Sequence, residues 1–458
     1  MLEVINNILE NRKILILGFG REGQSTFRFL MKCFPGNEVA VADSNPDILE
    51  KTGIEITKNV PFYSGISYLD NANNYDIIIK SPGIPVNLLK DKIPDRKITS
   101  QTGLFLTQFR NQVVGITGTK GKSTTSSLIY HLLKKRYKNL LLVGNIGVPP
   151  LDMIEDIKED TPVIFEMSSH QLENITVSPR ISVLLNLFEE HLDHYNGLTE
   201  YHFAKLNIMR FQKPGDTFIC SADDPTIRDL LANEIIKGDC LPYSLLKKLE
   251  NGIFTDDGKL VVAYGDSRTE YDFRKRQNLP GDHNLKNIMA SVAVAKILGV
   301  KDDEIREAVM DFKGLPHRLE YIGTFRDIHF YNDSIATIPE ATIEAVKTLK
   351  SVDTLIIGGK DRGIDYDILI DFIVTSGLKN IIFTGDAGKR VLDGVINKGN
   401  INGINLFFVN NFDEIADIVR ENTSPGSICL LSPAASSYDM FVNFEERGEA
   451  FKKIAENL

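Results

Sequence analysis

The sequence predicts an α/β protein of three domains with parallel sheets. Short apolar runs of strand length alternate with helical patterns along most of the 458 residues. Several of these runs lead straight into glycine-rich or serine-rich turns, as happens at the ligand edge of a parallel sheet. Since a domain holds roughly 100–200 residues, the length indicates about three of them. We expect the first and last to be Rossmann-like and the central one to be of the phosphate-loop type.

The predicted strands, and the turn-prone stretches between some of them, indicate where the domains begin and end. Polar, turn-prone residues precede the strand that enters the phosphate loop, and a Gly–Pro break follows the amphipathic stretch Asp302–Phe312. We therefore expect domains at 1–100, 101–314 and 315–458. The predicted strands are Ile14–Leu17, Val39–Ala42, Ile77–Ile79, Val113–Thr117, Leu140–Val143, Val163–Phe165, Val183–Leu187, Thr354–Ile357, Ile381–Thr384 and Ile428–Leu431.

Composition and charge are typical of an ordinary globular protein. Hydrophobic residues make up 42% and charged residues 25%, and the net charge is −10. A nucleic-acid-binding protein usually carries a basic face, whereas the longest basic block here is Lys134-Lys135-Arg136. We expect no nucleic-acid partner and a monomer. The four cysteines are far apart and form no CxxC pair, which predicts reduced thiols: Cys33, Cys220, Cys240 and Cys429.

The apolar segments are too short to cross a membrane. A bilayer-spanning helix needs about 20 apolar residues, and the strongest runs, such as Ile14–Leu17, have the length of strands. The N-terminus carries two acids and no long apolar stretch, so it does not look like a signal peptide. We expect a cytoplasmic protein without membrane insertion.

The first motif is a glycine-rich turn directly after the strand Ile14–Leu17. Gly18, Gly20 and Gly23 fit the pattern G-x-G-x-x-G, and a helix-like stretch follows. Such glycines let a backbone approach a pyrophosphate at a helix N-terminus, and Asp43, which ends the next strand, is placed to meet a ribose. Taken alone, the turn predicts a dinucleotide enzyme. A Rossmann-like turn that binds no ligand is the alternative, and we favour contact with a nucleotide that need not be NAD.

The second motif is a phosphate loop between the strand Val113–Thr117 and a helix-like stretch over Thr125–Leu133. Backbone N–H groups near glycines can converge on phosphate oxygens, a lysine can add a point charge, and a hydroxyl can ligate Mg²⁺. The fit to a Walker A loop is imperfect, because Ile116 stands where that pattern has its first glycine. The candidate ATP-binding residues are Gly118, Thr119, Lys120, Gly121, Lys122, Ser123 and Thr124.

Three further candidate residues come after the phosphate loop, two of them beyond predicted strands and one on a predicted helix. Glu166 comes just after Val163–Phe165 and could hold Mg²⁺, or could be an exposed acid at a strand end. His191 stands beside three acids and could form a second metal site, or be an ordinary polar residue. Lys205 lies on a predicted helix over Tyr201–Phe211, and pattern alone favours a solvated lysine there.

In this order the motifs resemble the Mur ligase family over nearly the whole chain. The set runs TGTKGKST, GNIG, EMSSHQLE, NLFEEHLDHY, Lys205, GDHNLKN, GLPHR and YNDSIAT. Within the family, the sequence looks most like the members that add D-glutamate to UDP-N-acetylmuramoyl-L-alanine. The reasons are GFGREG and Ser81-Pro82-Gly83 in the short first domain, the SSxQLE form at Ser168–Glu173, and the C-terminal run Leu431–Gly448.

The resemblance implies an ATP-dependent ligase that forms an acyl phosphate in peptidoglycan precursor synthesis. Its partners would be small molecules, namely the UDP-sugar, D-glutamate and ATP as co-substrate, with two Mg²⁺ ions. Lys122, Glu166, His191 and Lys205 would be catalytic, and Lys205 matches the position that is carbamylated in this family. The implied contacts are Asn284, Asn287, Arg318 and Asp333 with ATP; Gly18, Gly20, Gly23, Asp43, Gly83, Asn145 and His191 with the UDP-sugar; Ser123, Glu166, His191 and Lys205 with metal; and Thr337, Arg362, Ser437 and Phe444 with the amino acid.

Two departures from the family pattern affect the predicted amino-acid pocket. Ile335 replaces the lysine of the common form NDSKAT, so one charge on the substrate side is missing. The pocket lysine of some members falls on Arg362, with Lys360 nearby, and either could bind the glutamate side chain. We favour Arg362 because its planar fork suits a carboxylate.

Three other functions remain open from the sequence. A folylpolyglutamate synthetase also adds glutamate, but it usually begins near its phosphate loop, which here comes only after Val113–Thr117. An NAD-dependent oxidoreductase would explain the glycine-rich turn and Asp43, and would leave the phosphate loop unexplained. A non-catalytic sensor of uridine nucleotides would not need Lys122, Glu166, His191 and Lys205 together.

Overall fold

A computed structural model describes residues 2–53, 60–90, 92–188, 194–195, 197–265, 267–274, 278–399 and 403–458. The described residues form three sheets, of five, nine and six strands. The chain divides into two compact units. The first comprises Met1–Arg274 with Lys286–Val309, and the second comprises Lys275–Leu285 with Met310–Leu458. No helix of the described residues is long and apolar enough to cross a membrane.

The first sheet belongs to the first unit and is parallel throughout. Its strand order is β3-β2-β1-β4-β5. Strands β2 and β3 are added on one side of β1, and β4 and β5 are added on its other side, so the order of addition switches between β1 and β4. In open sheets of this kind ligands bind at such a switch point. The strands are β1 (Lys13–Leu17), β2 (Glu38–Asp43), β3 (Phe62–Ser64), β4 (Ile77–Lys80) and β5 (Ile98–Ser100), with helices α1 (Glu3–Leu9), α2 (Arg21–Cys33), α3 (Ile48–Thr52) and α4 (Gln101–Phe109).

The second sheet also lies in the first unit and has a parallel part and an antiparallel edge. Its helices are α5 (Lys122–Leu133), α6 (Ser169–Leu172), α7 (Leu198–Arg210), α8 (Pro225–Leu231), α9 (Asp282–Ile297) and α10 (Asp302–Asp311). Its strands are β6 (Val113–Thr117), β7 (Leu141–Gly144), β8 (Val163–Glu166), β9 (Ile181–Leu184), β10 (Thr217–Ser221), β11 (Asp239–Ser244), β12 (Gly252–Asp256), β13 (Lys259–Tyr264) and β14 (Ser267–Tyr271). Their order is β14-β13-β12-β11-β10-β9-β6-β8-β7, antiparallel only at β12-β13-β14.

The third sheet forms the second unit. Its strands are β15 (Glu320–Phe325), β16 (Ile328–Asn332), β17 (Val352–Gly358), β18 (Asn380–Thr384), β19 (Asn405–Val409) and β20 (Ile428–Leu431). The order is β15-β16-β20-β17-β18-β19, with only β15 antiparallel. The helices are α11 (Pro339–Leu349), α12 (Asp367–Ile373), α13 (Gly385–Lys398), α14 (Ile415–Asn422) and α15 (Phe444–Glu456).

Alternation along the strands explains why these sheets carry apolar side chains on both faces. Successive strand residues point to opposite faces, and a parallel sheet is covered on both. In β1, Ile14 and Ile16 join one apolar cluster while Leu15 and Leu17 join another. The third sheet is built in the same way, with residues of β17 and β18 divided between two clusters.

The predicted fold class is confirmed, and the predicted strands are found with small shifts at their ends. The largest difference is at Val183–Leu187, because β9 ends at Leu184. Beyond Leu184 the backbone bonds the end of β6 and the phosphate loop, with Leu185 N donating to Thr117 O at 3.0 Å and Asn186 O accepting from Thr119 N at 3.0 Å. Helix α5 begins at Lys122, earlier than predicted, because Gly121 at φ +85° serves as its N-cap. The three-domain boundaries at 100 and 314 stay a prediction.

Candidate active site

The phosphate loop leaves β6 in the middle of the parallel part of the second sheet. Gly118 and Gly121 both have positive φ, +155° and +85°, which favours glycine. Space also requires glycine at Gly121, where a Cβ would lie 2.5 Å from Oδ1 of Asn287. The backbone of the loop at Gly121 therefore lies directly against the side chain of Asn287 on α9.

Two lysine side chains converge on one carbonyl oxygen of this loop. Lys122 Nζ donates to Gly118 O at 2.9 Å and to Thr119 O at 2.9 Å. Lys205 Nζ donates to the same Gly118 O at 2.9 Å, and lies 4.9 Å from the centre of the Tyr201 ring. Lys205 is only 2% exposed, so the solvated lysine that its pattern favoured is wrong.

The loop is held in shape by the segment that follows β9. Asn186 Oδ1 accepts from Lys120 N at 2.8 Å, and Asn186 Nδ2 donates to Lys120 O at 2.9 Å. Thr119 Oγ1 lies 2.9 Å from the Tyr201 hydroxyl and accepts from Phe188 N at 2.9 Å. These bonds fix the backbone before any ligand arrives, and pre-organised donors of this kind stabilise developing charge most effectively.

Glu166 is the last residue of β8 and lies beside the phosphate loop. It pairs with Ile116 of β6 on one side and Gly144 of β7 on the other. Its side chain is fully buried, and Oε1 accepts from Asn145 Nδ2 at 2.8 Å. Oε2 has no hydrogen-bond partner among the described residues. A buried carboxylate oxygen of this kind fits a hard cation such as Mg²⁺.

The remaining residues of the predicted ATP and metal sites are placed as follows. Ser123 and Thr124 lie in the first turn of α5, half-buried and buried respectively. In the described part of the chain, His, Cys, Asp and Glu side chains form no group of three around one point. His191, predicted as a second metal ligand and as catalytic, lies outside the described residues.

A cavity of about 330 Å³ opens at the glycine-rich turn after β1. Of the predicted UDP-sugar residues, Gly18, Gly20, Asp43 and Gly83 line it. Asp43 shapes the turn, because Oδ2 accepts from Phe19 N at 2.7 Å and Oδ1 from Asn45 N at 2.8 Å.

Two other predicted UDP-sugar residues are not among those that line the cavity. Gly23 packs behind the turn, since a Cβ there would lie 2.0 Å from Gly18 O. Asn145 instead bonds Glu166 at the edge of the second sheet. Sequence reasoning missed Arg21 and Ser81, which also line the cavity.

Helix α9 carries two of the predicted ATP contacts. Asn287 is buried and approaches Gly121. Asn284, also buried, donates through Nδ2 to Pro280 O at 2.8 Å and belongs to the second unit.

Arg318 and Asp333, predicted to contact ATP, also belong to the second unit. Arg318 is exposed. Asp333 is buried after β16, where Oδ1 accepts from Leu319 N at 3.0 Å and Oδ2 accepts from Ser432 Oγ at 2.9 Å. Burial raises the pKa of Asp333 to about 7, although these bonds and the Arg318 charge oppose the shift.

The predicted amino-acid residues follow three neighbouring parallel strands of the third sheet. Thr337 comes after β16, Arg362 after β17 and Ser437 after β20. Arg362 is exposed and donates through Nη2 to Thr337 O at 3.1 Å. Lys360, the alternative to Arg362, is also exposed, and its N–H donates to Ser436 O at 2.9 Å. Phe444 begins α15 and its carbonyl accepts from Ser334 Oγ at 2.8 Å.

Arg447 joins these loops, and sequence reasoning missed it. Its side chain is 2% exposed, and it donates to Ser334 O at 2.8 Å, Ala435 O at 3.1 Å and Gly358 O at 3.3 Å. Burial lowers its pKa to about 10. No periodic pattern marks a buried arginine, since arginine in a helix is usually exposed.

Comparison with known proteins shows matches along the whole chain. Residues 116–295 match the Mur ligase middle domain. The chain is 32% identical to a UDP-N-acetylmuramoylalanine--D-glutamate ligase of Acetivibrio thermocellus over 98% of this chain and 97% of the relative. It is 35% identical to the ligase of that name from Listeria innocua, with 98% and 97% covered.

Solved structures show the same fold at lower identity. The UDP-N-acetylmuramate-alanine ligase of Thermotoga maritima superposes with a TM-score of 0.57 at 20% identity, covering 97% of this chain and 99% of that one. The MurF ligase of Thermotoga maritima in complex with ADP superposes with a TM-score of 0.58 at 18% identity, covering 99% and 97%.

The raised pKa of Asp333 predicts a pH-dependent stability for the second unit. Because the folded pKa, about 7, exceeds the ordinary value of an aspartate, the folded state binds a proton that the unfolded state releases. The free energy of unfolding should therefore fall as pH rises through that value, by at most about 1.4 kcal/mol per pH unit. Thermal unfolding between about pH 5 and about pH 8 measures this slope, which should level off above the folded pKa, and Asp333→Asn should remove Asp333's part of it. If the free energy of unfolding of Asp333→Asn changes with pH as steeply as that of the unaltered protein, Asp333 is not the source of the pH dependence.

Proposed function

The chain belongs to the UDP-N-acetylmuramoylalanine--D-glutamate ligase family, and on that premise we propose that it joins D-glutamate to UDP-N-acetylmuramoylalanine with ATP as co-substrate. The chain is thus a ligase of peptidoglycan precursor synthesis. The dinucleotide oxidoreductase and the non-catalytic sensor, both open from the sequence, do not agree with this membership, and nor does the folylpolyglutamate synthetase. A cytoplasmic location and a monomeric state remain part of the proposal.

The chemistry requires activation of a carboxylate. A carboxylate does not react with an amine unaided, because its leaving group would be oxide. In the proposed route the γ-phosphoryl group of ATP passes to an acceptor carboxylate oxygen, and ADP leaves. The amine of D-glutamate then attacks the carbonyl carbon, and phosphate departs with the former carboxylate oxygen as the amide forms. Phosphoryl transfer depends on positioning and charge stabilisation, so no nucleophilic side chain is needed.

The observation that carries the proposal is the arrangement around Gly118. Lys122 and Lys205 place two ammonium groups on one carbonyl of a loop whose backbone is already fixed. The positive charge of Lys122 can approach phosphate oxygens, which suits a transition state with spread negative charge. Lys205, buried at the same carbonyl, is placed where a carbamate on its nitrogen would lie beside the phosphate loop. Glu166 lies at the same edge of the sheet.

Magnesium fits the residues at this edge. Glu166, with its unbonded Oε2, and the Ser123 hydroxyl would hold one ion. A second ion would be held by His191 together with a carbamate on Lys205, which would turn the buried ammonium into an anion. When bound, the ions neutralise charge on the phosphates and hold them in line.

The cavity at the glycine-rich turn would take the uridine diphosphate part of the acceptor. Gly18, Gly20 and Gly83 line the cavity without side chains of their own. The turn is followed by the N-terminus of α2, whose N–H groups favour an anion. Asp43 would contact the ribose or base while it holds the turn.

The second unit would bind D-glutamate with side chains from the loops after β16, β17 and β20. Thr337 and Ser437 offer hydroxyls, Phe444 offers a ring, and Arg362 offers a guanidinium for the side-chain carboxylate. Arg447 would act indirectly, since its bonds to Ser334 O and Ala435 O hold two of these loops together.

Replacement of Lys122 should abolish ATP turnover. Lys122→Ala removes one ammonium from the loop, and loss of a pre-organised charge of this kind lowers kcat by about 100-fold or more. Phosphate release in the presence of the UDP-sugar and D-glutamate measures the effect. Lys134→Ala, an exposed lysine just beyond α5, is the matched control and should be unaffected. A Lys122→Ala variant that keeps more than about a tenth of the activity would refute the assigned role.

Carbamylation of Lys205 should be visible by spectroscopy. Isotope-labelled bicarbonate should give a carbamate carbon signal by NMR in the unaltered protein, and none in Lys205→Arg. Removal of bicarbonate should lower the rate of phosphate release reversibly. If the signal persists in Lys205→Arg, or the rate ignores bicarbonate, the carbamate does not form at this residue.

Arg362 and Lys360 can be separated by kinetics with D-glutamate. Loss of a bidentate contact with a carboxylate costs about 1.5–3 kcal/mol, so Arg362→Met should raise the KM for D-glutamate by about 10-fold to about 100-fold. The KM values for ATP and the UDP-sugar should hardly change. Lys360→Met, at the neighbouring candidate, should leave all three constants nearly unchanged. If Lys360→Met raises the KM for D-glutamate and Arg362→Met does not, Lys360 is the residue that binds the side-chain carboxylate of D-glutamate.

A further inference from the structure

Lys80 joins the rim of the cavity to the region that follows Glu166. It ends β4 with its side chain only 1% exposed. Its ammonium donates at 2.7 Å to the carbonyl of Ile84, a residue that lines the cavity. The same nitrogen lies 3.2 Å from Oε2 of Glu173, the C-cap of α6 beyond β8. One buried side chain therefore contacts both the first and the second sheet's loops.

Glu22 makes a second connection between the same two parts. It lines the cavity, and its Oε1 accepts from Gln171 Nε2 at 2.7 Å. Gln171 also closes the capping box of α6, because its Oε1 accepts from Ser168 N at 2.8 Å and its own N–H donates to Ser168 Oγ at 3.2 Å. Since Ser168 is two residues beyond Glu166, the position of Glu22 bears directly on the backbone that carries the catalytic carboxylate.

A third contact runs to the other neighbour of Glu166. Arg21, also at the cavity, donates through Nη2 to Gly147 O. Gly147 belongs to the loop after β7, and Asn145 of that loop donates to Glu166 Oε1. Both loops that flank Glu166 are thus bonded to side chains at the cavity.

The charges make Lys80 the central member of this network. Burial lowers the pKa of Lys80, while the carboxylates of Glu173 and Glu22 oppose that shift. Burial raises the pKa of Glu22, and the bond from Gln171 and the charge of Lys80 oppose it. A buried charge is tolerated only when it is paired and hydrogen-bonded. Without Lys80, Glu173 and Glu22 would each lose a cation that favours the charged carboxylate, and the contact between the two loops would be lost.

We propose that Lys80, together with Glu22 and Glu173, is a positioning residue that couples occupancy of the cavity to the placement of Glu166. This inference rests on the proposed function, because it takes the cavity to hold the nucleotide part of the acceptor. A ligand that orders the Ser81–Ile84 loop fixes the position of the Ile84 carbonyl and therefore of the Lys80 ammonium. The ammonium in turn fixes the position of Glu173 at the end of α6. By linkage, a ligand at the phosphate loop must then change the affinity of the cavity for its nucleotide, and the reverse.

The test measures this coupling without turnover. UDP binding to the full chain is measured by calorimetry, alone and with a saturating non-hydrolysable ATP analogue and Mg²⁺. In the unaltered protein the analogue should change the Kd for UDP by at least about fivefold, the lower end of common coupling between sites. In Lys80→Met the ratio of the two Kd values should fall to nearly one. Lys97→Met is the matched control, because Lys97 donates to the carbonyls of Asn73 and Tyr75 within the first sheet's own loops.

The outcomes separate the inference from the function on which it rests. If the ratio of the two Kd values for UDP is the same in Lys80→Met as in the unaltered protein, the inference about Lys80 is overturned and the proposed function is unaffected. The absence of coupling in the unaltered protein would overturn it as well. Failure of the unaltered protein to bind UDP at all would refute the proposed acceptor. If Lys80→Met does not fold, Lys80→Met/Glu173→Gln decides, because it leaves no unpaired charge at that pair. The double variant should fold and still lack the coupling.

Discussion

The site depends on the meeting of two lysine side chains, Lys122 and Lys205, at the carbonyl of Gly118. The glycine conformation at Gly118 aims the carbonyl, and α7 brings Lys205 to it from another part of the sequence. Glu166 ends the strand next to the one that enters the phosphate loop. The phosphate loop, the buried lysine and Glu166 therefore lie together at one edge of the second sheet.

Parallel sheets explain why the other predicted residues also gather. The carboxyl ends of parallel strands share an edge, and loops that leave it can reach a common ligand. In the second sheet this edge carries the phosphate loop, Asn145 and Glu166. In the third sheet it carries the loops of Thr337, Arg362 and Ser437, which Arg447 holds together from α15. Each predicted site thus lies where topology, rather than sequence neighbourhood, brings residues together.

The sequence predicted what local pattern controls and missed what tertiary contact controls. The strand, glycine loop and helix around Lys122 follow from apolar runs and glycine spacing. The burial of Lys205 does not, because a lysine on a helix is ordinarily exposed. The same holds for Arg447 and Lys80, whose partners are backbone carbonyls and acids distant in sequence. The misjudged end of β9 has a related cause, since an apolar run cannot reveal that the backbone beyond Leu184 bonds Thr119 of the phosphate loop.

In the proposed reaction, ATP bound at the phosphate loop activates a carboxylate of the UDP-sugar for attack by D-glutamate. The most direct measurement is phosphate release from ATP with UDP-N-acetylmuramoylalanine, in parallel reactions with D-glutamate, L-glutamate and no amino acid. We expect phosphate release only when the UDP-sugar and D-glutamate are both present. Release without the UDP-sugar, or turnover only with a different acceptor, would contradict the assigned reaction and leave the fold unchanged.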